Sequence, residues 1–201
     1  MTTADTILYF GSFNPPHRGH VAVADQVLDR FPEAQLWWVI SPHNPLKNAE
    51  ELASEQDRLA MVRLALQSAR NRNRIEICTV EFDLPRPSLT IRTLEALSQR
   101  YPDRTFCLLI GSDNVAGFRH WVRHEEILNR YPVWVYPREG YNPPHDAFSR
   151  RFHYLENVPL MPQAATDIRE LIARGDDSRN ELPPGIWSYI QSHALYGYPR
   201  K

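Results

Sequence analysis

Cysteine is scarce in this chain. The two present, Cys78 and Cys107, each lie inside an apolar run that reads as a strand. With no paired spacing they exclude a disulfide framework and a cysteine-rich metal site, and read as buried thiols of a reducing compartment. An excess of one charge is also missing. Lys and Arg total 23 against 24 Asp and Glu, a formal net charge of -1, so no broad positive field points to nucleic acid. A small anionic ligand stays open, because it needs only a local site. No window is long and apolar enough to span a bilayer. No basic segment followed by a long apolar stretch stands near the start, so the expectation is a cytoplasmic protein with no signal peptide and no membrane partner. There is no internal repeat, no Walker G-K-[ST] and no dinucleotide glycine fingerprint.

What is there is ordinary globular material: 201 residues, 42% apolar and 23% charged. That suffices for a sheet-and-helix core without staples. Residues 1–201 read as one domain, with a C-terminal helical portion over 165–201 packed on it.

Apolar runs of strand length occur at Thr6–Phe10, Gln35–Ile40, Ile75–Phe82, Phe106–Ile110, Val133–Tyr136 and Tyr154–Met161. Between them, apolar residues recur at helical spacing over Gly19–Arg30, from Ser54 onward through Leu59, Val62 and Leu66, and over Thr90–Arg100 and Trp121–Arg130. Thr166–Arg174, closed by Gly175, and Ile186–His193 read as the last helices. Strands alternating with helices imply parallel strands joined by right-handed crossovers. The fold class is therefore α/β: a Rossmann-like parallel sheet with helices on both faces and a C-terminal helical segment. Such a sheet binds ligands beyond the carboxyl ends of its strands, which directs attention to the residues after Phe10, Ile40, Ile110, Tyr136 and Met161.

The segment after the first strand, Gly11-Ser12-Phe13-Asn14-Pro15-Pro16-His17-Arg18-Gly19-His20, is the most informative. Gly11 leaves room for a ligand to approach the backbone, and Pro15 and Pro16 stiffen the turn. A helix opening near Gly19 offers unpaired N–H groups to an anion. His17 and His20, three apart, can face one ligand from a first helical turn. A proline-rich turn with two solvated histidines is the plainer alternative. Two histidines with two placed glycines after a leading strand favour a phosphate site.

These residues resemble the signature of the nucleotidyltransferase superfamily with the HxGH motif, Gly-x-Phe-x-Pro-x-His-x-Gly-His, with Gly11, Phe13, Pro15, His17, Gly19 and His20 at its fixed positions. Near the C-terminus, Gln163-Ala164-Ala165-Thr166-Asp167-Ile168-Arg169 is similar to the superfamily's Ile-Ser-Ser-Thr-x-Ile-Arg, with alanines in place of both serines. The lost hydroxyl is worth about 1 kcal/mol as a helix cap, a role Thr166 could assume.

Further segments resemble bacterial nicotinate-nucleotide adenylyltransferases in the same order: Ile40 to Lys47 as a proline-rich loop, Pro87-Ser88-Leu89-Thr90, Ile110-Gly111-Ser112-Asp113, Trp121, an arginine-bearing loop at Tyr136–Tyr141, and a closing helix from Leu182 to Tyr196. The likeness covers nearly the whole chain. It implies transfer of AMP from ATP to nicotinate mononucleotide, with His17 and His20 catalytic. It implies an ATP site at Gly11, Ser12, Phe13, Gly19, Gly111, Asp113, Thr166 and Arg169, with Arg169 on the β- and γ-phosphates. It places the mononucleotide at Asn44, Lys47, Thr90, Trp121 and Arg138, Trp121 stacking on the pyridine. Mg²⁺ is implied as the companion of ATP, with no dedicated protein metal site. ATP and nicotinate mononucleotide are the expected partners; a homo-oligomer is one option for an open oligomeric state. Alternatives are the amidated mononucleotide as substrate, phosphopantetheine as acceptor, and a nucleotide-binding regulator without turnover.

Overall fold

The computed structural model describes residues 4–42, 52–142, 144, 146–156, 158 and 164–199. Its centre is a six-stranded sheet: β1 (Thr6–Gly11), β2 (Gln35–Ile40), β3 (Ile75–Cys78), β4 (Phe106–Gly111), β5 (Val133–Tyr136) and β6 (His153–Tyr154). All pairings are parallel, in the order β3-β2-β1-β4-β5-β6. That is the doubly wound Rossmann order, and it reverses between β1 and β4. A crevice opens where crossovers leave those two strands in opposite directions.

The helices are α1 (Arg18–Arg30), α2 (Glu55–Leu66), α3 (Thr90–Arg100), α4 (His124–Arg130), α5 (Ala165–Arg174) and α6 (Ile186–His193). Alternation along each strand sends successive side chains to opposite faces. Ile7, Tyr9, Trp38 and Leu109 join one buried cluster with residues of α1, α2, α5 and α6. Leu8, Trp37, Val39, Leu108 and Ile110 join the other with residues of α3 and α4. Both faces are therefore covered, which is why the strands are near-continuous apolar runs. Ile168, Ile172, Ile186 and Ile190 of the two C-terminal helices are buried in the first cluster.

Local signals account for the element ends. Ser54 caps α2, its Oγ accepting from the Asp57 N–H at 3.0 Å. Gly175 closes α5 with a left-handed φ of 81°. Three expected boundaries differ. The strand expected through Phe82 stops at Cys78, because Thr79 leaves the extended region (φ -106°, ψ 17°) and a 3₁₀ turn over Val80–Phe82 follows. The helix expected from Trp121 begins at His124, because Arg123 before it is left-handed at φ 56°. The strand expected from Tyr154 to Met161 reduces to β6, and its later residues 157 and 159–161 lie outside the described set. Among the described residues no helix is long and apolar enough to cross a membrane.

Candidate active site

Gly11 pairs with Ile40 across β1 and β2, and Gly111 with Tyr136 across β4 and β5, so the exit loops of four strands lie side by side. Beyond them lies a cleft of about 480 Å³, with Gly11, Ser12, Phe13, His20, Thr90, Gly111, Asp113, Trp121 and Arg138 in its wall. That volume suits a nucleotide-sized ligand. Nine of the fifteen residues singled out in the sequence thus meet here. Asn44 and Lys47 lie outside the described residues.

The first loop is held rigidly. Phe13 adopts a left-handed φ of 46°, an uncommon state for a residue with a side chain. Its ring is fixed by stacking on Trp38 at 4.6 Å and by an edge contact with Tyr9. At 1% exposure that ring belongs to the core, so it can contribute to the cleft only as its floor. Gly11 has a different purpose from the one its sequence position suggested. A Cβ there would meet the Phe13 ring at 2.9 Å, so the missing side chain makes room for Phe13 rather than for a ligand.

His17 is the N-cap of α1, and the two imidazole centroids are 3.7 Å apart. The His17 backbone N–H donates to His20 Nδ1 at 3.1 Å. An accepting ring nitrogen carries no proton, so the proton of His20 sits on Nε2, which has the chemistry to donate to a phosphate oxygen. The helix end is less open than expected, because the Arg18 N–H is taken by the Glu181 carbonyl at 2.9 Å. Its capacity for an anion rests on the Gly19 N–H.

His17 is buried, and Nδ1 has no hydrogen-bond partner. A second cavity of about 10 Å³, room for one water, lies among His17, His20, Tyr136 and Arg138. Burial first, then the Arg138 charge, lowers the His17 pKa from 6.5 to about 3. The imidazole is therefore neutral at ordinary pH. Between pH 3 and 6.5 the unfolded chain binds this proton and the folded chain does not. Its stabilisation is complete above about pH 6.5 and is lost as pH falls toward 3, by about 1.4 kcal/mol per pH unit. Urea unfolding of wild type and His17→Asn at pH 7 and pH 5 should show a smaller acid loss in the variant. Equal losses would contradict the assignment.

Opposite the histidines, Gly111 lets two charged groups meet. A Cβ on Gly111 would overlap Asp113 Oδ1 and lie 2.9 Å from Arg138 Cγ. Arg138 Nε stands 3.9 Å from Asp113 Oδ1, and its backbone N–H donates to Ser112 Oγ at 2.9 Å. Burial works against the guanidinium charge, but Tyr136 and Asp113 outweigh it and raise its pKa above the ordinary value. Trp121 stacks on Phe118 at 4.6 Å with 24° between the planes, which sets its ring as a flat wall of the cleft.

The family model described as cytidylyltransferase-like matches residues 8–171. The chain belongs to the cytidylyltransferase-like family. A protein of Flavobacterium johnsoniae, described as a probable nicotinate-nucleotide adenylyltransferase, is 36% identical over 94% of this chain and 97% of its own. One of Porphyromonas gingivalis with the same description is 40% identical over 89% of each chain. Among solved structures, the Plasmodium falciparum nicotinic acid mononucleotide adenylyltransferase complexed with NaAD aligns with a TM-score of 0.81 over 98% of both chains. At 18% identity, that likeness is one of fold.

The second family element is brought to the first across 155 positions of sequence: Arg169 Nη1 donates to the Asn14 carbonyl at 3.0 Å. Ala165, at the start of α5, reaches the cleft wall. Thr166 does not assume the missing cap. Ala164 is the N-cap with no side-chain bond, and Thr166 Oγ1 is exposed in the first turn, accepting from Arg169 Nη2 at 3.5 Å. Sequence reasoning missed Asn14, Glu81 and Ser88 in the wall. Asn14 sat inside the motif at a variable position, and its Oδ1 accepts from the Ala53 N–H at 3.0 Å. Glu81 was hidden in a run read as strand. Its 2% exposure is the signal that only the fold supplies.

Proposed function

We propose that the protein transfers the adenylyl group of ATP to nicotinate mononucleotide, forming nicotinate adenine dinucleotide and pyrophosphate in NAD biosynthesis. The observation that carries this reading is the His17–His20 pair at the start of α1, beside a nucleotide-sized cleft at the sheet's switch point. Family membership across nearly the full length supports it.

The acceptor phosphate is already ionised at neutral pH, so no general base is needed. One of its oxygens attacks the α-phosphorus of ATP in line. A new P–O bond forms as the bond from the α-phosphorus to the bridging oxygen breaks, and that electron pair leaves on pyrophosphate. The protein's task is to position the partners and to stabilise charge on the transferring and leaving phosphates. His20 Nε2–H and the Gly19 N–H serve the phosphates on one side, with Arg169 on the β- and γ-phosphates. Neutral His17 contributes a hydrogen bond rather than a charge. Arg138 faces the mononucleotide phosphate, Trp121 and Thr90 take the pyridine, and Asp113 holds Arg138. Asn44 and Lys47 complete the mononucleotide site in this reading.

Mg²⁺ enters as the ATP complex. It would neutralise charge on the ATP phosphates and would need few protein ligands of its own. The reading places one such domain in the cytoplasm, acting on small molecules, with neither nucleic acid nor membrane as partner.

Pyrophosphate release from ATP with each mononucleotide tests this. Turnover should be faster with the nicotinate form than with the nicotinamide form. Trp121→Ala should raise KM for the mononucleotide on the order of tenfold by loss of stacking, with KM for ATP little changed. No pyrophosphate with either acceptor would favour a regulator that binds nucleotide without turnover.

A further inference from the structure

Glu81 is a buried carboxyl in the cleft wall that the reaction above leaves unused. It sits in the 3₁₀ turn Val80–Phe82 after β3, is 2% exposed, and belongs to the wall of the cleft. Thr93 Oγ1, from the second turn of α3, donates to its Oε1 at 2.7 Å. The hydroxyls of Ser41 and Ser88 stand near enough to the carboxyl to lower its pKa, but short of hydrogen-bond geometry. Yet Glu81 Oε2 and Ser88 Oγ are both buried without a hydrogen-bond partner. Two such orphans cost free energy until they are satisfied. They belong to neighbouring wall residues, and one bond between them would satisfy both.

We propose that Glu81 is a positioning residue for the pyridine end of the cleft: its carboxyl anchors α3 through Thr93 and latches Ser88 when the mononucleotide enters, drawing the Ser88–Thr90 turn onto the ring. Ser88, Leu89 and Thr90 are consecutive and all line the cleft, so a shift of Ser88 toward Glu81 carries Thr90 with it. The proposal rests on the adenylyltransferase reading and on its placement of the pyridine at Thr90 and Trp121. Burial raises the Glu81 pKa against the opposing pull of the Thr93, Ser41 and Ser88 hydroxyls. The two carboxyl oxygens can accept separately, Oε1 from Thr93 and Oε2 from the Ser88 hydroxyl.

The test is steady-state kinetics on Ser88→Ala, Glu81→Ala and Glu81→Gln. Ser88→Ala deletes one hydroxyl from a half-buried turn and leaves the anchor to Thr93 in place, so it reports even if Glu81→Ala does not fold. The expected result is a rise of about tenfold in KM for nicotinate mononucleotide in both alanine variants, equivalent to one lost hydrogen bond. KM for ATP should stay within about twofold, as no group contacting ATP is touched. Glu81→Gln should retain near wild-type KM, since its amide can accept from Thr93 and donate to Ser88. An unchanged mononucleotide KM in Ser88→Ala, or an equal rise for both substrates, would overturn the latch. Wild-type protein inactive with either mononucleotide would instead refute the functional reading beneath it.

Discussion

Replacing His20 with Ala should lower kcat about 10²–10³-fold while the protein stays folded, the usual loss when one preorganised donor to a developing charge is removed. The fold should survive because His20 is only partly buried, although its truncation orphans the His17 N–H, 3.1 Å from Nδ1. That contact also predicts the response to a milder change. His20→Asn can still accept from the His17 N–H but does not reach as far into the cleft, so it should preserve thermal stability without restoring rate. Burst and steady-state measurements of pyrophosphate, with circular dichroism melting in parallel, separate the two effects. Turnover within about threefold of wild type in His20→Ala would remove the reason for placing the triphosphate at the start of α1.

The largest stability effect should come from a residue that touches no substrate. Arg58 is 1% exposed, an unusual place for a guanidinium. Its nitrogens donate to the carbonyls of Ser12 at 2.8 Å, Ser41 at 2.6 Å, Pro42 at 3.1 Å and Ala53 at 3.1 Å. One side chain therefore joins the exit loops of β1 and β2 to the start of α2. Burial lowers its pKa below the ordinary arginine value, and the four carbonyls replace the water that the charge has lost. Arg58→Met fills much of the volume but leaves buried carbonyls without donors, at about 1–3 kcal/mol for each that water cannot reach. A total of about 3–5 kcal/mol is expected, or roughly 10 °C in Tm for a chain of this size. Arg58→Lys keeps the charge but cannot span four acceptors, so it should fall between. A wild-type Tm in Arg58→Met would show that the loops hold themselves.

Much of this molecule is legible in its sequence. Apolar runs and helical spacing located the strands and helices of the described residues, β6 by Tyr154 alone, because burial on both sheet faces makes the strands near-continuously apolar. Gln35–Ile40, Val133–Tyr136 and Ile186–His193 ran where periodicity placed them. The HxGH loop was legible because its parts are contiguous, so their spacing is their geometry.

Tertiary structure decided what depends on residues far apart in the chain. Arg58 lies on α2 where periodicity alone cannot tell a keystone from a solvated arginine, and its acceptors come from three separate stretches, between 5 and 46 positions away. Gly11 is needed because the Phe13 ring folds back over it, and the Arg18 N–H is consumed by Glu181 from the C-terminal segment. The strand order, and with it the crevice between β1 and β4, is likewise a matter of crossovers. Periodicity records which side of an element is apolar, a one-dimensional property. Which loop carbonyls, hydroxyls and charges then meet at the sheet's carboxyl edge is settled only when the layers pack, because those contacts desolvate together and none of them is favourable alone.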